Sequence, residues 1–487
     1  MSFILALFLI LLYSAINIVL LLHHEPWEDE AQAWLIARDL DIASIFNQMA
    51  YEGSPALWHM LLIPFAKAGF PYLSEFVLHL VIAVAAVTVF ILYAPFSRIT
   101  KLLFIFSYYM AYEYSIIARS YSLSILLLFL IAALYENRFE YSIWYAFLVF
   151  LLFNTNAHSI SIAFSLIILF GWEFYRNKVK AKRIKIAVFI MCMGGLLSFF
   201  QVLPRPDTID YRAFIGHAYA APFVAIANAF SPWHGSFFIQ VEQRLMIMGI
   251  AFSIFFTIIL SLYKNPAVLF ILLSSFSGLF YIFTFVHTGA LRHHGFVLIL
   301  LLFALWISRS YPDSQMKHHG LISNTNLRKF SIAMINVCLS LSLLYALKIQ
   351  YREYKYIFSG AKEMAYFIKR NNLDDYTIVA HPSPYASALL PYLPGRQFWY
   401  ADIEGYGTFV SYNKMFHDGN KDSSNSEVIS RMKKAFPEQS EILLLLSKPL
   451  SSPDSNSFRL LYKVDKVFGY NREKYYLYKS MKKNHEK

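Results

Sequence analysis

Residues 23–34, His-His-Glu-Pro-Trp-Glu-Asp-Glu-Ala-Gln-Ala-Trp, place four carboxylates (Glu25, Glu28, Asp29, Glu30) and two histidines directly after an apolar run. Three further stretches set charge and rings beside apolar segments. They are Tyr51-Glu52-Gly53-Ser54-Pro55-Ala56-Leu57-Trp58-His59, residues 112–121 with Glu113, Arg119 and Tyr121, and Arg292-His293-His294. A positioned carboxylate removes a proton from an attacking hydroxyl and typically contributes ~10²–10⁴-fold to a rate. Fixed guanidinium groups stabilise charge that develops on a departing phosphate. Acids on one segment and arginines on others therefore suit transfer from a phosphate-linked donor, whose greasy tail would stay between helices.

Each stretch also has an ordinary explanation. Glu28, Asp29 and Glu30 open a helix, where the exposed amides and the macrodipole favour acids by ~0.3–1 kcal/mol each; that accounts for one or two acids better than four. Glu52 precedes a Gly-Ser-Pro helix start. Glu113 and Arg119 sit where a charge costs at least ~2.5–3.5 kcal/mol at mid-membrane, so they pair, snorkel or face a cavity. The histidines come as adjacent pairs without HExxH-type spacing, which argues against a protein-only zinc site and leaves His23 and His24 as interface residues.

The elements that must position these groups are membrane helices. Of 487 residues 57% are hydrophobic, 18% aromatic and 15% charged, and the mean hydropathy is +0.45. This is too much apolar surface for one soluble core, and a polytopic membrane protein is expected. The net charge of +12 comes with bases grouped in short segments, chiefly Arg176, Lys178, Lys180, Lys182, Arg183 and Lys185. That is a topology signal and not a nucleic-acid patch. Cys192 and Cys338 lie in apolar runs and offer neither a disulfide framework nor a metal site. No GxxxxGK[ST] phosphate loop occurs. The first run, without a charged start or small-residue cleavage site, reads as an uncleaved span.

Runs near the spanning length of ~20 residues fall at 3–22, 74–95, 116–135, 158–175, 186–203, 245–263, 266–286, 295–309 and 330–348, with shorter ones at 102–113 and 142–153. Counting both short runs keeps Arg98, Lys101, Arg138 and the 176–185 bases on one side, as the positive-inside rule requires. The expectation is about eleven transmembrane helices with a cytoplasmic N-terminus. Segments 23–73, 113–119, 154–159, 204–244 and 287–294 then share the outer face, and Lys264 and the 309–329 loop the inner one. Residues 1–348 read as the multi-span part, with 23–73 as its outer catalytic loop.

After 349 the pattern becomes that of a soluble, extracytoplasmic α/β domain, 349–487. Helices are expected at 361–371, 384–393 and 426–436, and strands at 377–380, 397–400, 442–446, 458–464 and 474–479. The aromatics in 397–400 and 406–409 suit either a buried core or sugar stacking.

Taken in order, Asp29-Glu30-Ala31 after the first span, Glu52-Gly53-Ser54-Pro55-Ala56-Leu57-Trp58, Ala118-Arg119-Ser120-Tyr121 and Arg292-His293 resemble the motifs of the GT-C superfamily. These are multi-span glycosyltransferases that use polyprenyl-phosphate-linked sugars. The nearest likeness is to bacterial relatives of protein O-mannosyltransferases and of lipid A glycosyl and aminoarabinose transferases. It covers about 1–310, and Ser54 and His293 depart from the family's usual His or Pro and Tyr.

The resemblance implies a GT-C-like fold and an inverting transfer to an acceptor hydroxyl at the outer face of a bacterial plasma or inner membrane. Asp29 would be the base and Glu30 its neighbour, with Arg119 and Arg292 on the donor phosphate and Glu52, Glu113, Tyr121 and His293 lining the substrate. It admits a divalent cation, which some branches use and others do not, without assigning ligands. A transporter or flippase for a lipid-linked glycan is the rival reading, since Glu113 and Arg119 suit a pathway as well. Repeated halves are common in transporters, and none is detected here. A scaffold whose outer domain binds a partner is the third reading, against which the intact acids at 28–30 argue.

Overall fold

The computed structural model describes residues 2–176, 182–208, 218–233, 241–311, 324–421, 424–439, 441–469 and 473–481. Lys178, Lys180 and parts of the 204–244 and 309–329 loops lie outside these residues.

Eight described helices have the length and apolar character to cross a membrane: Phe3–His23, Leu73–Tyr93, Ala157–Arg176, Lys182–Val202, Val241–Ser261, Pro266–Val286, Leu291–Ser310 and Asn326–Lys355. Each matches an expected run. Three shorter apolar helices accompany them, Tyr121–Asn137, Ser142–Phe153 and Ala221–Phe230, so the eleven expected crossings are not all of spanning length. Ala221–Phe230 falls within the expected 204–244 loop, and its ten residues are too few to register as a span.

The expected run at 102–113 is not one helix. Arg98–Ile105 ends in a turn, and a π-helix follows at Tyr109–Glu113. Ser107 Oγ donates back to the Phe104 carbonyl at 2.7 Å, and the Tyr108 amide donates to Ser342 Oγ at 3.1 Å. Those bonds compete with the helical ladder where it breaks.

The chain divides into two compact units. One comprises Met1–Val19, Leu78–Gln201 and Asp210–Gln350; the other comprises Leu20–Val77, Val202–Ile209 and Tyr351–Lys487. Within the first, helical unit, Leu291–Ile307 is buried at every position from His293 to Ile307. An apolar helix without a polar face belongs inside a bundle, surrounded by other helices.

The second unit contains α2 (Glu28–Asp39), α3 (Ile42–Glu52) and α4 (Leu57–Lys67), which follow the first span, α1 (Phe3–His23). Asp41 caps α3 by accepting the Ser44 amide at 2.7 Å. Gly53, at φ +62°, ends it in the left-handed conformation that glycine adopts without a Cβ clash.

The tail adds a six-stranded sheet in the order β3-β2-β1-β4-β6-β5. The strands are β1 (Thr377–His381), β2 (Phe398–Tyr400), β3 (Gly405–Gly407), β4 (Ile442–Leu446), β5 (Phe458–Val464) and β6 (Tyr475–Ser480). β1 runs parallel to β2 and β4, and the remaining pairs are antiparallel. All five β4 residues are buried, as the continuous Ile-Leu-Leu-Leu-Leu run requires of a strand covered on both faces.

The expected helix at 384–393 is two pieces, Ser383–Ser387 and a 3₁₀ turn Leu390–Tyr392; Pro391 has no amide to continue a ladder. β3 was not expected, since Gly-Tyr-Gly has little strand propensity. In β2, Phe398, Trp399 and Tyr400 are core residues.

Candidate functional site

In the second unit, α2 carries Asp29 and Glu30 in its first turn. The two acids differ. Glu30 is fully buried, and one of its oxygens accepts the Trp27 amide at 3.1 Å, the reach-back of an N3 glutamate that satisfies an orphan helix donor. Asp29 keeps part of its surface exposed. Proton exchange with a substrate needs access, so of this pair Asp29 is the acid able to reach one.

His24 is not an interface residue. It is 4% exposed and sits between two carboxylates, Nδ1 donating to Glu353 at 2.7 Å and Nε2 to Glu30 at 3.1 Å. Burial alone would push this imidazole down, but the charges of Glu30 and Glu353 outweigh it and carry the pKa up to about 10. His24 is thus an imidazolium at neutral pH, both ring nitrogens are donors, and the Glu30 carboxylate is held by a charge-assisted bond.

A second acid from the tail meets the same turn. Glu473 accepts the Glu28 amide at 2.8 Å and the Ser359 hydroxyl at 2.5 Å. Burial pushes its carboxyl up to about 8, with the Glu30 and Asp29 charges adding to the rise and its two hydrogen bonds opposing it. Glu25, half-buried, accepts the Phe358 amide at 3.0 Å, and burial raises its carboxyl too.

Two lower tethers complete the positioning of α2. Gln32 pairs with the Val410 backbone in both directions, Nε2 to the carbonyl at 2.6 Å and the amide to Oε1 at 3.0 Å, and also donates to Glu52 at 2.8 Å. At the last turn Arg38 donates to Asp39 and to the Leu390 carbonyl, while Thr408 donates to Asp39. The helix bearing Asp29 is thereby bonded to the tail at its beginning, middle and end, and Glu52 joins it through Gln32.

In the first unit the other expected residues gather around the start of the Leu291–Ile307 helix. Tyr121 lies edge-on to the His293 ring at 5.7 Å, and His293 stacks on His158 at 4.9 Å. His293 Nδ1 accepts the Ala290 amide at 2.7 Å, again an N3 side chain turned back on its helix start. Tyr114, beside Glu113, donates to the Arg292 carbonyl at 2.7 Å. Glu113 itself is buried in the π-helix and accepts the Tyr108 hydroxyl at 2.5 Å. Arg119 stands partly exposed in the bend before Tyr121, and Arg292 is likewise partly exposed.

Gly289, at φ +83°, lies against His294, whose Nε2 a Cβ there would approach to 2.7 Å. This lets His294 bond both Asn228, at 2.8 Å, and the Thr288 carbonyl, at 3.0 Å. Among the described residues no three of His, Cys, Asp and Glu are grouped to hold a metal ion.

Sequence reasoning put His24, just before α2, at the interface, and it missed Glu353 and Glu473, which reach this turn from hundreds of residues away, and His158, whose polar Asn-Thr-Asn-Ala-His context at 154–158 was its one visible signal. Asp29, Glu30 and Glu52 are thus connected through α2 in one unit, and Glu113, Tyr121, Arg292 and His293 lie around one helix start in the other, with Arg119 two residues before Tyr121 in the chain.

No protein-family profile and no curated protein matches the sequence. The fold does have solved counterparts. The crystal structure of ArnT from Cupriavidus metallidurans bound to undecaprenyl phosphate is similar over 98% of this chain and 98% of that one, with a TM-score of 0.55 at 11% identity. Its apo state is similar over 96% and 97%, with a TM-score of 0.53, also at 11% identity. The chain therefore has the ArnT fold from its first span through its tail.

Proposed function

We propose that this multi-pass membrane protein is a glycosyltransferase that moves a sugar from a polyprenyl-phosphate donor to an acceptor hydroxyl, with inversion. The observation that carries this reading is the ArnT fold over nearly the whole chain, found in a protein crystallised with undecaprenyl phosphate, in a sequence with an accessible acid beside a buried one on a helix bonded along its length.

Asp29 takes the proton of the acceptor hydroxyl. The hydroxyl oxygen attacks the anomeric carbon from the face opposite the leaving group, and the bond from that carbon to the phosphate oxygen breaks. Polyprenyl phosphate departs with the electron pair, and Arg119 and Arg292 neutralise the charge it gains. Glu30, bonded to His24 and the Trp27 amide, fixes the turn that presents Asp29. Glu52, Glu113, Tyr121 and His293 line the substrates. The reaction runs at the outer face, with the N-terminus cytoplasmic and the tail outside, the orientation that places the 176–185 bases inside.

The test is transfer from labelled polyprenyl-phospho-sugars in membranes, wild type against Asp29→Asn. The variant is expected to lose ~10²–10⁴-fold in rate. A folded Asn variant that transfers normally removes Asp29 from the mechanism, and lipid-linked glycan crossing the membrane without any transfer would favour the flippase.

A further inference from the structure

A cavity of about 740 Å³ opens within the second unit, at the end of α2 farthest from Asp29. Its walls include Arg38 and Asp39 from α2, Arg396, and the segment running through Tyr406, Thr408 and Asn413. By the 1.5 Å rise of a helix, Asp29 and Asp39 are ~15 Å apart along one rigid element. No role assigned so far uses this cavity.

Its charges are already matched. The Arg38 guanidinium holds Asp39 by two bonds, Nε at 2.6 Å and the second nitrogen at 3.0 Å, and Arg396 is paired with both Asp374 and Asp375. Two arginines against three carboxylates leave no excess positive charge for a phosphate or a sulfate. What remains is a wall that mixes donors and acceptors: Asp39, fixed further by the Thr408 hydroxyl at 2.5 Å, the Arg38 edge and the Asn413 amide. Neighbouring hydroxyl groups on a ring need that mixture, since each both gives and takes a hydrogen bond.

The cavity also has an aromatic platform. Tyr406, at the centre of β3, is 57% exposed, although its cross-strand partner Trp399 and both flanking residues of β2 are buried. Gly407 next to it packs closely, since a Cβ there would come within 3.1 Å of the Tyr400 ring. The hairpin thus leaves the Tyr406 ring outward at the cavity wall, where its flat face is positioned to stack on the apolar face of a ligand ring.

We propose that this cavity is a binding subsite for uncharged carbohydrate, in which a sugar ring stacks on Tyr406 while its hydroxyls bond the Asp39–Arg38 pair. Resting on the transferase reading above, it holds the distal part of a glycan acceptor, and α2 sets the spacing between that part and the base.

Full-length protein in nanodiscs is applied to an array of uncharged oligosaccharides with phosphorylated and sulfated counterparts. Wild type is expected to retain uncharged glycans. Tyr406→Ala, which removes only an exposed ring, is expected to weaken them about tenfold, and Asp39→Asn to weaken them as well. Retention of only the charged glycans, no retention by wild type, or binding indifferent to Tyr406→Ala each overturns the subsite. The two readings fail separately. A blank array with transfer abolished by Asp29→Asn leaves the transferase and removes the subsite. Tyr406-dependent glycan binding by a protein with no transfer activity keeps the subsite and removes the transferase.

Discussion

Replacing His24 with alanine tests the anchoring of the acid helix. The wild-type imidazole lies 2.7 Å from Glu353 and 3.1 Å from Glu30, with a pKa carried up to about 10 from an ordinary 6.5. Holding the proton from pH 7 up to that value, at about 1.4 kcal/mol per pH unit, amounts to about 4 kcal/mol. A second route gives the same size, because removing one member of a buried ion pair costs ~3–5 kcal/mol by stranding the others.

The assay is amide hydrogen exchange across Glu28–Arg38 in the full-length protein, since a single melting temperature is ill-defined for a two-unit membrane chain. His24→Ala should speed exchange there by about 10³-fold. Adding Glu353→Gln should restore part of the protection by removing one of the two stranded carboxylates. Because the group's pKa is raised by folding, its contribution is complete below pH 6.5 and is lost as pH rises through 10. Wild type should show that loss beyond intrinsic exchange, and His24→Ala should not. Protection within about twofold of wild type in His24→Ala would refute the reasoning.

Glu473 offers the opposite manipulation. Its carboxyl is held protonated up to about 8, so at pH 7 folding carries a cost of about 3 kcal/mol; this group's contribution is present below its ordinary 4.5 and falls as pH rises through 8. Glu473→Gln keeps an oxygen for the Glu28 amide and should raise α2 protection between pH 7 and 9, read in the same exchange experiment. Gly295→Ala should destabilise the first unit by about 1–3 kcal/mol, measured by denaturant or proteolysis, because its Cβ would collide with the Tyr114 hydroxyl and approach the Tyr109 ring to 2.6 Å. The same substitution should disturb Glu113, which shares that π-helix.

Hydropathy made the long spans legible to within a few residues in most cases: 266–286 was expected and Pro266–Val286 is found, whereas 330–348 fell short of Asn326–Lys355. β4 and β1 were equally plain, since Ile-Leu-Leu-Leu-Leu and Thr-Ile-Val-Ala fit only a buried strand between breakers. Where pattern failed, a local bond or a proline overrode it, as Ser107 did at the π-helix and Pro391 in the broken tail helix. For the site, residue type distinguished the 28–30 acids from their surroundings but could not separate Glu30, buried against His24, from Asp29. That difference depends on Glu353, which is 329 residues from His24 in the chain, and no local window contains both.

The long sequence separations impose an order on biogenesis. The Glu28 amide bonds Glu473, 445 residues later, and a ribosome working at ~5–20 residues per second takes ~20–90 s to cover that distance. For that interval α2 emerges without the partners that tie down both its ends, while the membrane helices between are being inserted. A stop codon ahead of Glu473 would therefore leave the Glu28 amide without its acceptor, so premature termination near the end of the chain reaches a turn made near its beginning.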